Sequence, residues 1–523
     1  MKRISFITFL LINVTVFAQS KANLRAIASD ADKKFATDNY EEALEGYLML
    51  LSNDSKNETY NYNVGVCYLN TNINKAKAVP YLEIVTRMEK HNPNADFLLG
   101  RAYQYANRFD DAIASFEKFK ASGKGTDENL RDCYHELQHC LNAKELVKYP
   151  VNVTFKSLDR KTINSPYSDY YPFVTENEAF IVFNSKRPLN KDVQKLPNGY
   201  YPNSIFISKV VNGEFMEASV IGAPICKGNS GEEVIGMSAK GDILLIYKAD
   251  FKNAGRIYIT KTNEQGIFSE PELLPSPING TGDEIAACIS NDGNTIYFAS
   301  DRKGGMGGTD LYQCSKLPNG KWSEAKNMGP SINSVLDEDF PNLSPDGKTF
   351  YFSSKGHASM GGYDIFKASF DEKEKQFSNP KNLGYPVNTS YDDMNFRISA
   401  SGRYGYLASV RGGGAGDLDI YRVTFNDVEV DYTVVIGQVK AKDNAALSYR
   451  DIFITVNDNI TGELVGNYYT NPANGRSVMI LPPGKYMMNV EAPGFKNYSM
   501  PIEIYDKVSY QSEKSFVVEL KKP

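Results

Sequence analysis

"ISNDGNTIYFASDRKGG", residues 289–305, returns as "LSPDGKTFYFSSKGHAS" at 343–359 and as "ISASGRYGYLASVRGGG" at 398–414. In each copy an Asp-Gly or Ser-Gly pair separates two runs of alternating apolar residues, the pattern of two strands joined by a hairpin turn. Ser290, Ser344 and Ser399 mark equivalent points, 54 and 55 residues apart. Ser238 stands 52 residues earlier, and Thr175, in "VTENEAFIVFNSKRP", another 63, with extra residues around 190–203. Each unit closes on a third strand with an aromatic: "SIFIS", "RIYIT", "DLYQC", "DIFKA", "DIYRV". Units of about 50 residues built from short antiparallel strands are propeller blades. A parallel β-helix repeats over far shorter units. Residues 150–428 therefore read as a five-bladed β-propeller, and "VNVTFKSLD", 151–159, is expected to supply the outer strand of the last blade and close the ring.

The flanking regions have other periods. Residues 19–149 are helical by pattern, and "FATDNYEEALEGYLMLL", "YNVGVCYLNTNINKAKAVPYLEIV" and "LLGRAYQYANRFDDAIASFEKF" repeat one design. Gly65 recurs at Gly100, and Ala43 at Ala76 and Ala112. Small residues at a period near 34, with aromatics beside them, form the tetratricopeptide signature, so a short solenoid with a capping helix over 127–147 is expected. Residues 432–520 alternate again, with turns at Gly437, Gly462, Gly475 and Gly484, and read as a small antiparallel β-sandwich. The blade motifs resemble the TolB-type (PD40, WD40-like) repeats. The terminal stretch "PPGKYMMNVEAPGF" resembles the carboxypeptidase regulatory-like, transthyretin-like domain, which in its family is a folding and adhesion unit.

A chain of 523 residues exceeds what one core supports. Its net charge of −5 offers no electrostatic grip on nucleic acid. Lys2 and Arg3 precede the apolar run "ISFITFLLINVTVF" and then small Ala18, so residues 1–18 read as a cleavable export signal. That run is short for a membrane span, no cysteine follows it to take a lipid, and no later segment approaches spanning length. A soluble mature protein outside the cytoplasm is the expectation. Its six dispersed cysteines, without a C-x-x-C pair, read as buried free thiols.

Chemistry has few candidates. "HELQH", 135–139, matches the zinc-protease pattern. On a helix advancing about 100° per residue, Cys133 and Cys140 share the apolar face while His135 and His139 lie on the opposite one. The cysteines therefore cannot join the histidines round a metal, and His91 and His357 lie elsewhere in the chain. The glycine runs at 303–310, 358–364 and 411–419 lead into strands and lack the Lys-Ser/Thr that opens a P-loop helix. No G-x-S-x-G is present, and His357 with Ser359 lacks an acid partner. The reading is of no catalytic residue, no metal, no cofactor and no enzyme.

One feature recurs in every blade. Six residues before each turn Ser or Thr stands a carboxylate: Asp169, Glu232, Glu284, Glu338 and Asp393. A cation follows the next strand, at Lys186 or Arg187, Lys248, Arg302, Lys355 and Arg411. Repetition in all blades favours a scaffold role, with carboxylates accepting loop amides or pairing with the cations. The alternative is a ring at one mouth that binds a cation or a basic peptide.

The order signal, helical repeats, propeller and sandwich resembles periplasmic PorE-like proteins of Bacteroidetes associated with type IX secretion and gliding. That resemblance implies a non-enzymatic periplasmic scaffold, peripheral to the outer membrane, with protein partners, an outer-membrane β-barrel or a secretion-complex subunit among them. The family's C-terminal OmpA-like domain has no counterpart before the chain ends at "FVVELKKP", so peptidoglycan binding is not carried over. A glycan- or peptide-binding propeller is the alternative expectation, and a zinc hydrolase using "HELQH" the remotest.

Overall fold

The computed structural model describes residues 22–226, 231–250, 253–411, 414–442 and 446–523. The expected export signal, 1–18, lies outside the described residues.

Among the described residues seven α-helices come first: α1 (22–35), α2 (Tyr40–Leu51), α3 (Glu58–Leu69), α4 (Val79–Thr86), α5 (Asn94–Tyr105), α6 (Phe109–Ser122) and α7 (Asp127–Leu146). The side chains of Asn39, Asn57 and Thr126 accept the orphan amides that open α2, α3 and α7. Small residues sit where α1 crosses α2, α3 crosses α4 and α5 crosses α6, with Gly46 against Ala31 in the first pair. A Cβ on Gly65 would overlap Leu82 of α4, and one on Gly100 would overlap Phe116 of α6. Cys133 and Cys140 lie fully buried on the inner face of α7, as the helical spacing requires.

Five sheets follow. Blade 1 runs outward from Asp169–Val174 through Phe180–Ser185 and Ser204–Val211 to two short edge strands. Blades 2, 3 and 4 begin at Glu233–Met237, Glu284–Ile289 and Glu338–Leu343, and each adds three antiparallel strands in chain order. Blade 5 begins at Met394–Ile398 and ends on Val153–Ser157, which pairs antiparallel with Asp419–Phe425, Phe155 opposite Val423. The start of the propeller thus completes its last blade. The innermost strands touch in the cyclic order 1-2-3-4-5-1. Five apolar cores fill the wedges between neighbouring blades; Phe183 and Tyr406 seal the last one, between blades 5 and 1. Every inner strand carries one β-bulge. A bulge sharpens twist and bends the strand, which suits the crowded centre of a ring.

Beyond the propeller, two sheets share one core that includes Val435, Ile454, Met479, Met488 and Val518. The expectation of a wholly antiparallel unit needs correction: Thr433–Ala441 pairs in parallel with Glu513–Leu520. The chain reaches that last strand by crossing from the other sheet, and a crossover permits the parallel direction.

The three parts are in contact. His139 and Asn142 of α7 hydrogen-bond the carbonyls of Lys355 and Ser359 at 2.9 and 2.8 Å, and the Tyr105 and Tyr391 rings meet at 4.8 Å. Met360, from a propeller loop, is fully buried in the helical core. At the far mouth, Arg422 pairs with Asp506 at 3.3 Å and Lys507 reaches the Gly213 carbonyl. Among the described residues no helix is long and apolar enough to cross a membrane.

Candidate functional site

The carboxylates at the blade starts are buried: Asp169, Glu284, Glu338 and Asp393 expose nothing to solvent, and Glu232 only 6 %. Asp169 accepts Ser165 N and Oγ at 2.6 and 2.7 Å and meets Arg187 at 2.6 Å. Glu284 accepts Gly280 N and Ser300 Oγ and meets Arg302 at 3.0 Å. Asp393 accepts Thr389 N and Oγ1 and meets Arg411 at 3.0 Å. Each of these arginines also donates to the serine two residues before it and to a carbonyl of the preceding loop, at Ile163, Ile278 or Val387. In blade 2 the pair is looser, with Lys248 3.8 Å from Glu232.

Of the two cations offered for Asp169, Arg187 and not Lys186 serves it. One expected cation needs correction. Lys355 turns to Asp337 at 2.9 Å, leaving Glu338 to the hydroxyls of Ser334 and Ser354, both at 2.6 Å. The arginine's remaining place in blade 4 goes to His357, whose Nε2 donates to the Ile332 carbonyl at 2.9 Å. Its ring lies against Phe352 and Phe366, where Arg302 lies against Phe298 and Tyr312. Glu338, with neither cation beside it, is pushed by burial up to about 7.

A second recurrent residue escaped the sequence reading. Asn164, Asn279, Asn333 and Asn388 each stand five residues before a carboxylate, after Ile or Val. Each clasps the amide and carbonyl of one strand residue in the preceding blade: Ile420, Ile257, Leu311 and Ile365. The signal was the fourfold [IV]-N itself, hidden among ordinary loop asparagines.

The histidine pattern on α7 belongs to the docking surface. The face opposite the buried cysteines is a second contact face, with His139 7 % exposed and turned onto the propeller. Glu136 lies 3.5 Å from both Arg101 and His139. Burial opposes its ionisation, but those two neighbours outweigh it and hold the carboxyl at about 2, too weak a base for water activation at neutral pH. Among the described residues no cluster of three His, Cys, Asp or Glu is arranged to hold a metal.

One asymmetric feature is a cleft of about 430 Å³ where the helices meet the rim of blade 1. Glu41 of α2 and the turn Thr71–Ile73 form one wall; Tyr167, Lys186, Lys195, Tyr200, Tyr201 and Asp417 form the other. Lys195, Tyr200 and Tyr201 come from the extra residues that lengthen the first unit. Tyr167 and Tyr201 meet edge to face at 5.6 Å, and the Lys186 ammonium sits 3.9 Å over the Tyr200 ring. Burial lowers Lys186 and pushes the Tyr200 hydroxyl up to about 12, while burial and then Asp417 raise Glu41. The cleft combines flat aromatic surface with charges of both signs, which suits a ligand carrying polar groups on an apolar frame.

No family model matches the chain, and no curated protein matches it in sequence. Among solved structures it is similar to TolB from Acinetobacter baumannii, at 14 % identity over 58 % of this chain and 72 % of that one, TM-score 0.33. It is similar to an endo-arabinase from Bacteroides thetaiotaomicron at 14 % identity, 51 % and 97 % coverage and TM-score 0.33. A prolyl endopeptidase aligns at 10 % identity, 71 % and 61 % coverage and TM-score 0.28. These figures concern the fold and assign no activity to this chain. They do correct one expectation. The chain was read as no enzyme for want of a triad or zinc site, yet its fold neighbours include enzymes of arabinan breakdown, so that inference does not hold.

Proposed function

We propose that this chain is an exported scaffold of the cell envelope whose cleft between the helices and blade 1 holds an extended segment of a partner protein. The observation that supports this reading is the insertion at 190–203. It alone lengthens the first repeat, and it brings Lys195, Tyr200 and Tyr201 opposite Glu41 and Ile73. A shared structural need repeats in every blade, whereas a site breaks the repetition. The opposed charges fix the direction and register of a bound chain, and the tyrosines supply area at little entropic cost.

On this reading the helix pairs are tetratricopeptide repeats and the terminal two-sheet unit is a carboxypeptidase regulatory-like domain. The partner is an outer-membrane β-barrel or a subunit of a type IX secretion complex. That partner class rests on the resemblance in module order and is an analogy. The tyrosine wall beside Asp417 and Glu41 also favours a second reading, a glycan stacked on the rings.

The test is affinity purification of the tagged protein from its native envelope, with wild type beside the Tyr200→Ala/Tyr201→Ala variant. A partner recovered with the wild type and depleted about tenfold or more with the variant is the expected result. Equal recovery with both contradicts the assignment. Loss of glycan retention with unchanged protein partners supports the second reading.

A further inference from the structure

We infer that the propeller channel binds one small monovalent inorganic anion, of chloride's size and charge, on the guanidinium of Arg397. The inference is independent of the cleft. Arg397 lies on the inner strand of blade 5 and is 4 % exposed. Its Nε and Nη2 have no hydrogen-bond partner among the described residues. Arg187, Arg302 and Arg411 each meet a carboxylate and a carbonyl, but no described carboxylate pairs with Arg397.

Its neighbours do not supply the missing charge. The guanidinium lies over the face of Phe173, 4.2 Å from the centroid, which leaves its in-plane N–H groups unused. The nearby Cys288 thiol is pushed by burial up to about 12 and stays neutral. Asn395, on the same strand, also leaves its amide nitrogen without a partner. A cavity of about 20 Å³ opens beside Arg397 at the mouth remote from the helices, lined in part by Ser238 and Asn342. That volume fits about one water-sized occupant and is too small for phosphate or a peptide terminus. Glu176 stands on the same wall without reaching the guanidinium. A buried cation wants a counter-charge and not only a hydrogen-bond acceptor, so a small anion satisfies Arg397 where water does not.

The test is thermal unfolding of the full chain at constant ionic strength, with chloride or bromide replacing gluconate. The expected result is a midpoint rise of about 2 °C or more in both halides, absent in Arg397→Met. Should that variant fail to fold, wild-type crystals grown in bromide are expected to show an anomalous peak beside the guanidinium. Equal midpoints in gluconate and chloride, a variant that responds as the wild type does, or bromide crystals with no peak at Arg397 would each overturn the inference.

Discussion

Glu284 and Glu338 hold equivalent places in neighbouring blades, yet they rest on different partners. Glu284 faces Arg302, so Glu284→Gln leaves a buried guanidinium without its counter-charge. Removing one member of such a pair is expected to cost about 2–4 kcal/mol in urea unfolding. Glu338 accepts only neutral donors, and Glu338→Gln is expected to cost less than about 1 kcal/mol. Equal losses would contradict the division of roles. Glu233, whose carboxyl burial pushes from 4.5 up to about 7, gives a pH signature. The folded chain keeps a proton there that the unfolded chain releases. That contribution is complete below the ordinary value and is lost as pH rises through 7. Glu233→Gln is therefore expected to match the wild type at pH 5 and to exceed it by roughly 2 kcal/mol at pH 8, read by chemical denaturation. The sequence revealed the five carboxylates because they repeat at fixed spacing. It concealed Glu233, whose counterpart Asp339 follows Glu338 in blade 4 alone, and Arg397, which occurs once; the chemistry of each comes from burial in a channel that other strands build.

At the scale of elements, period carried most of the information. Strand alternation and the turn pairs placed the hairpins, and "VNVTFKSLD" was legible as a closing strand because the fifth unit lacked an outer one. The glycine runs were legible only as loops. Their purpose is close approach between blades: a Cβ on Gly307 would strike the Leu336 carbonyl oxygen, and one on Gly361 the Ser390 backbone. Asp310, Asp364 and Asp419 hold these loops by accepting amides such as Gly307 N and Met360 N at 3.1 and 3.0 Å. Gly361→Ala is expected to cost about 3 kcal/mol, because rigid backbone must move. Gly347→Ala, at a turn with φ of +71° and open space round it, is expected to cost only about 1 kcal/mol. Thermal denaturation of the two variants checks the order, and a larger loss at Gly347 would contradict it.

For the whole molecule, the decisive fact is that the helices lie across one mouth of the ring. Sequence periodicity describes each module by itself and says little about which faces meet. His139, Asn142, Tyr105 and Met360 lie far apart in the chain, and each reads as an ordinary surface or core residue alone. Removing residues 22–148 is expected to expose Met360 and Tyr391, to increase binding of a hydrophobic dye and to lower the propeller's melting temperature. A truncated chain that melts as the full one does would show the docking to be incidental. The central claim is that the cleft beside blade 1 holds a partner's chain. A photo-crosslinking side chain placed at Tyr201, and at exposed Ile460 as the control, tests it in the native envelope. A protein adduct at Tyr201 with none at Ile460 is the expected result. Equal labelling at both positions, or no protein adduct at Tyr201, would contradict it.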